Sequence, residues 1–307
     1  MALAPIVLFI YNRPNLTRMT LEALAKNELA DQSTLYIYCD GPKDSANAET
    51  IENIAQARRI AGERKWCREV IIYEKEHNLG LAKSIISGVT EIVNTHGNVI
   101  VLEDDLETSP YFLRYMNDAL AVYRDNKKVI SIGACNFFAK NESVTPETFF
   151  IPIPDCWGWA TWKDRWELFE PDSDKLYKQL KEKGLIQAFN LFGNYPFESM
   201  LQKQIMGQVN SWAIRWQAVA YLNNMLALYP QKSMTIHKYS DTATHAKYDN
   251  SDIIELCNKP VRVKEMEVEV LPEIFEQMLR GYRSVAMSGS VIKNMVKYIF
   301  RLFKIAR

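Results

Sequence analysis

The sequence predicts an α/β fold built on a mainly parallel sheet flanked by helices, with a more irregular second half and a helical tail. Two observations carry this. Short apolar runs of strand length recur at Ile6 to Tyr11, Leu35 to Cys39, Val70 to Tyr73 and Val99 to Leu102, separated by longer amphipathic stretches. Each run ends on polar, chemically competent residues: Asn12-Arg13, Asp40-Gly41, His77-Asn78-Leu79-Gly80-Leu81 and Glu103-Asp104-Asp105. In a parallel sheet the ligand sits at the carboxyl ends of the strands, so these four ends are where a site is expected.

Pro5 to Tyr11 reads as a buried strand, Asn12 to Thr17 as the turn leaving it, and Leu16 to Lys26 as a helix. A second strand ends at Asp40, and a helix spans Ala48 to Arg59. A third strand leads through the His77 turn into a helix reaching Val93. Val99 to Leu102 is too short for a helix and typical of a strand buried on both faces. Ser109 reads as an N-cap and Pro110 as the first residue of a helix that runs to Asn126. Val129 to Ala134 is another strand, Ser211 opens another helix, and Met225 to Pro230 is a short strand. A polar helical region leads up to Asn210, and Thr235 to Asp249 reads as a hydroxyl-rich loop.

The chain has 307 residues with 37 basic and 37 acidic side chains, a balance that argues against nucleic acid as the main partner. Its five cysteines show no CxxC pair or metal-ligand spacing, which reads as a reducing, cytoplasmic setting. The apolar start lacks a basic leader and is too short to span a bilayer. From Val291 to Arg307, basic residues line one helical face and apolar residues most of the rest. That pattern fits peripheral contact with anionic lipid at the inner face of the cytoplasmic membrane, or docking on protein.

Two stretches carry candidate chemistry. The carboxylates of Glu103, Asp104 and Asp105 repel one another, and either a divalent cation or solvent at a helix N-terminus would relieve them. Four tryptophans between Trp157 and Trp166 follow Asp155 and flank Gly158. They form either an apolar pocket holding a single base or an aromatic core beside a turn carboxylate.

Together these residues resemble sugar-nucleotide-dependent glycosyltransferases of the GT-A (Rossmann-like) fold, specifically the inverting N-acetylglucosaminyltransferase I type and bacterial polysaccharide enzymes. The carriers are Tyr11-Asn12-Arg13, Cys39-Asp40-Gly41, Asn78-Leu79-Gly80-Leu81-Ala82 and Glu103-Asp104-Asp105-Leu106-Glu107. The resemblance implies that Asp105 holds Mn2+ or Mg2+. It also implies that Arg13, Asp40, Leu79, Glu103 and Asp104 contact a nucleoside-diphosphate sugar, expected to be a UDP-sugar. Asp155, before Gly158-Trp159, takes the place of the catalytic base, though the family's Asp-Phe-Phe-Pro-Gly form is absent. Thr244-His245 corresponds to a hydroxyl-His pair in a loop ordered by the donor, and Trp157 and Trp159 would face a glycan or lipid-linked acceptor.

The expected division is a nucleotide-sugar half at 1–107, an acceptor and catalytic half at 108–260, and a helical extension at 261–307 with the amphipathic tail. Two rivals share the fold: a sugar-phosphate nucleotidyltransferase, for which the first strand end lacks the glycine-rich segment, and a non-catalytic carbohydrate-binding or scaffold protein.

Overall fold

The computed structural model describes residues 2–139, 141–238 and 254–287. In chain order these form β1 (Ile6–Ile10), α1 (Pro14–Ala25), β2 (Thr34–Cys39), α2 (Ala48–Gly62), β3 (Glu69–Glu74), α3 (Leu81–His96), β4 (Asn98–Glu103) and β5 (Leu106–Thr108). Next come α4 (Phe112–Val122), β6 (Val129–Gly133), β7 (Thr148–Ile151), β8 (Trp159–Trp162), α5 (Lys163–Trp166), α6 (Ser173–Glu182), α7 (Ile186–Phe189) and α8 (Phe197–Ile205). The last are α9 (Trp212–Leu222), β9 (Leu226–Pro230), β10 (Thr235–His237) and α10 (Pro272–Met287).

Eight strands form one sheet in the order β3-β2-β1-β4-β8-β6-β9-β7. The β1–β2, β2–β3, β1–β4 and β6–β9 pairings are parallel, whereas β8 and β7 run antiparallel to their neighbours. The expected mainly parallel α/β sheet is therefore present. Successive strand residues point to opposite faces, and both faces are covered. Ile6, Leu8 and Ile10 pack with Leu21, Ala57 and Met116, while Val7 and Phe9 pack with Val89, Ile92 and Trp216. That is why β1 is apolar at every position.

The chain runs from β1 outward to β3 and then returns through α3 to place β4 on the other side of β1. The order reverses between β1 and β4, which opens a crevice at their carboxyl ends. The sheet also spans the division expected near 107: strands from both halves share it, and each core draws on both. α10 docks into one core through Ile274, Met278 and Tyr282.

Three elements depart from the expectation. β8 is a strand within the tryptophan stretch, paired to both β4 and β6. β5 follows the acidic cluster directly and pairs with β10, so Thr235 to His237 is strand, not loop. α4 begins at Phe112, because Ser109 is engaged elsewhere: its hydroxyl donates to the Cys257 carbonyl at 2.6 Å and accepts from Tyr111 N at 3.1 Å. Among the described residues all five cysteines are free, and no helix is long and apolar enough to cross a membrane. The amphipathic tail at 291–307 lies outside the described residues.

Candidate active site

The turn from β1 into α1 carries Arg13 at the helix N-cap, with Pro14 fixing the first helical residue. β4 delivers Glu103, Asp104 and Asp105 across the crevice, all buried. Arg13 joins the two ends. One guanidinium nitrogen donates to Asp105 Oδ2 at 2.5 Å and another to Asp104 Oδ1, while the Tyr11 amide donates to Asp104 Oδ2 at 3.3 Å. Asp105 is completely enclosed, whereas the Arg13 side chain is 29% exposed, so the cluster meets solvent through its cation.

Sequence reasoning missed His237. It lies 132 residues from Asp105 along the chain, yet its Nε2 is 3.1 Å from Asp105 Oδ2. The short β5–β10 ribbon makes that contact by pairing His237 with Leu106, and Lys238 N donates to the Asp105 carbonyl at 2.8 Å. No local pattern distinguishes His237; only the strand pairing brings it to the cluster. Thr244 and His245 lie outside the described residues.

The cluster's charges are balanced unevenly. Burial, together with the neighbouring Asp105 carboxylate, pushes the Glu103 carboxyl well above the ordinary range. Asp104 is also raised by burial, with Arg13 opposing the shift. Glu103 Oε2 is buried with no hydrogen-bond partner among the described residues. A cluster richer in carboxylate than in cation fits a divalent ion. Among the described residues no group of three or more His, Cys, Asp or Glu side chains is placed to hold a metal ion, so an ion here would need further oxygen ligands from outside these side chains.

Asp40 ends β2 and accepts four hydrogen bonds: from Gly41 N (2.9 Å) and Leu79 N (2.8 Å) on Oδ1, and from Asn78 Nδ2 (2.9 Å) and Gly80 N (3.0 Å) on Oδ2. Its carboxylate ties the turn before α3 to β2. Leu79, half-buried, is held there through its backbone.

Asp155 is a second buried carboxylate of a different kind. Its Oδ2 accepts from Ala134 N (2.9 Å) and Cys135 N (2.7 Å), and its Oδ1 from Cys156 N (2.8 Å) and Trp157 N (3.0 Å). Burial raises its pKa to about 6, and those amides oppose the shift. Two glycines make the packing possible. A Cβ at Gly133 would lie 2.8 Å from Asp155 Cβ, and Gly158, at φ +85°, would carry one 2.7 Å from Thr235 Cγ2.

Glu103 and Asp155 line one cavity of about 120 Å³, walled largely by aromatic rings including Trp157, Tyr195, Trp212 and Tyr282. Trp157 also lines it, its ring 5.4 Å from that of His237. The expectation for Trp159 is corrected: it is 1% exposed and stacked on Trp212 at 4.9 Å, so it belongs to the core and offers no face to an acceptor. Tyr282 comes from α10, which sequence reasoning treated as an extension apart from the site.

No protein-family model matches the chain, and neither does any curated protein sequence. Among solved structures, UDP-glucose pyrophosphorylase complexed with UDP-glucose is similar at 13% identity, with 76% of this chain and 93% of that chain covered and a TM-score of 0.39. Mouse xyloside xylosyltransferase 1 is similar at 10% identity over 84% and 95%, with a TM-score of 0.40. Mannose-1-phosphate geranyltransferase from Thermus thermophilus is similar at 10% over 75% and 74%, with a TM-score of 0.33. Scores this low decide neither the family nor the activity.

Proposed function

We propose that the chain is a divalent-metal-dependent, inverting glycosyltransferase that moves a sugar from a nucleoside-diphosphate sugar, a UDP-sugar first among them, to a hydroxyl of a glycan or lipid-linked acceptor. One observation carries the reading: Glu103, the first carboxylate of the acidic cluster at the end of β4, also lines a cavity rich in aromatic rings that holds a second carboxylate, Asp155. The likeness of the Arg13, Asp40 and Glu103 to Asp105 segments to the N-acetylglucosaminyltransferase I type supports it.

In this reading Asp105 would hold the cation, which would supply positive charge at the diphosphate leaving group. Arg13 is exposed enough to turn from the carboxylates toward phosphate, where its fork pairs with two oxygens. Asp40 keeps the Leu79–Gly80 turn in place beside the nucleotide. Asp155 takes the acceptor hydroxyl's proton: with a pKa raised to about 6 it is ionised at neutral pH yet more basic than an ordinary aspartate. Each of its oxygens already accepts two amides, so one of those bonds must yield as the proton arrives. The aromatic wall excludes water that would otherwise hydrolyse the donor.

The test is a thermal-shift panel of nucleoside diphosphates and their sugar conjugates, each with manganese, magnesium or chelator. Metal-dependent stabilisation by one nucleoside diphosphate, followed by transfer with an inverted anomeric centre, is expected. Folded protein stabilised by none of them would overturn the reading.

A further inference from the structure

α9 is buried nearly all round, and its sequence from Trp212 to Leu222 is apolar except at Arg215 and Gln217. Arg215 is accounted for: its guanidinium donates to the carbonyls of Ser211 and Pro171 and to Asn210 Oδ1. Gln217 is 5% exposed, and its amide nitrogen Nε2 has no hydrogen-bond partner among the described residues. A stranded buried donor of this kind costs about 1–3 kcal/mol, so an apolar side chain would serve the core better.

Gln217 lines the same cavity as Glu103 and Asp155. Three of the other polar groups there already have hydrogen-bond partners. Asp155 is held by four amides, Ser211 Oγ accepts from Ile214 N at 3.2 Å, and Tyr229 donates to the Ile153 carbonyl at 3.0 Å. Two polar side chains of the wall each keep a buried atom without a partner among the described residues, Glu103 Oε2 and Gln217 Nε2. The remainder of the wall is largely aromatic or aliphatic. A ligand that satisfies both atoms needs hydrogen-bonding oxygens set on an apolar C–H framework, which describes one saccharide unit. About 120 Å³ admits one such unit and not a chain of them.

We infer that this cavity receives the sugar carried by the donor, and that Gln217 is a specificity-determining residue that donates its amide N–H to a substituent oxygen of that sugar. Glu103 belongs to both the acidic cluster and the cavity wall, so the sugar lies next to the diphosphate. The inference rests on the proposed function and adds to it the residue that distinguishes one sugar from another.

The test compares wild type with Gln217→Met, which keeps the length and helix preference of the side chain, and with Gln217→Glu, which changes its hydrogen-bonding character. Affinities are measured by calorimetry with manganese for UDP, GDP and dTDP and for their glucose, galactose, mannose and N-acetylglucosamine conjugates. In Gln217→Met, affinity for the bare diphosphate should be unchanged, while that for the preferred sugar conjugate falls roughly tenfold. Its melting temperature should equal or exceed that of wild type, because a stranded donor has been removed. A structural glutamine would give the opposite pattern, a lower melting temperature with parallel losses for diphosphate and sugar conjugate, and that result would overturn the inference. So would unaltered discrimination among the conjugates in both folded variants. If no diphosphate binds wild type at all, the proposed function itself falls and takes this inference with it.

Discussion

Asp105 and Asp155 are both buried aspartates near strand ends, yet the fold holds them by opposite means. Asp105 sits among other carboxylates and is met by side chains, Arg13 and His237, drawn from distant parts of the chain. Asp155 is met by four backbone amides, two on each oxygen. The difference bears on what each can do. The partly exposed Arg13 side chain can swing away and be exchanged for a ligand's charge, whereas the amides at the ends of β6 and β8 are held by the backbone. The first arrangement suits binding that comes and goes, and the second suits a group that must hold its place while a proton moves.

The comparison can be broken most sharply at Asp105. Asp105→Ala should abolish metal-dependent stabilisation by nucleoside diphosphate, which would otherwise reach roughly 2–3 kcal/mol at a hundredfold excess over Kd. A thermal shift that survives the substitution would remove Asp105 from the metal site. Asp155→Asn should keep nucleotide binding while turnover falls by about 10²–10⁴-fold. It should also lower stability by about 1–3 kcal/mol for each amide left facing an NH2 group, so chemical unfolding must accompany the kinetics. Unchanged turnover would exclude Asp155 as the base.

A smaller effect lies in pH. Asp155 is protonated below about 6 and ionised above it, so a base function makes wild-type kcat/KM fall by about tenfold per pH unit below that value. A flat profile across the window would separate Asp155 from proton transfer. The smallest effect is expected at His237. The difference in stability between His237→Ala and His237→Gln, which can restore a donor toward Asp105, should be about 1 kcal/mol by equilibrium unfolding.

Much of the nucleotide-side crevice was legible because it is local. β1, β2, β3 and β4 are apolar runs within the sheet, and each polar strand end follows directly in the sequence. β8 was not legible: Trp159 to Trp162 is four residues long, and the tryptophans on both sides of Gly158 hide its start within an aromatic segment. β5 and β10 are three residues each and exist through their pairing, so neither has a pattern of its own. Trp159 and Trp157 look alike in the sequence, yet one stacks in the core and the other lines the cavity.

By itself the sequence determined the α/β class, the order of the first four strands and helices, and which carboxylates stand at the strand ends. Period and apolar run length are properties of neighbouring residues, and they are enough for that. Tertiary structure decided the rest: that Arg13 bridges Asp104 and Asp105, that His237 closes on the same carboxylate, and that Gln217 and Tyr282 share a cavity with Glu103 and Asp155. Those relations join residues far apart in the chain, and the cause is the crossing of α3 back over the sheet and the pairing of two three-residue strands. No local rule encodes them, because hydrogen-bond partners and burial are set by which elements meet.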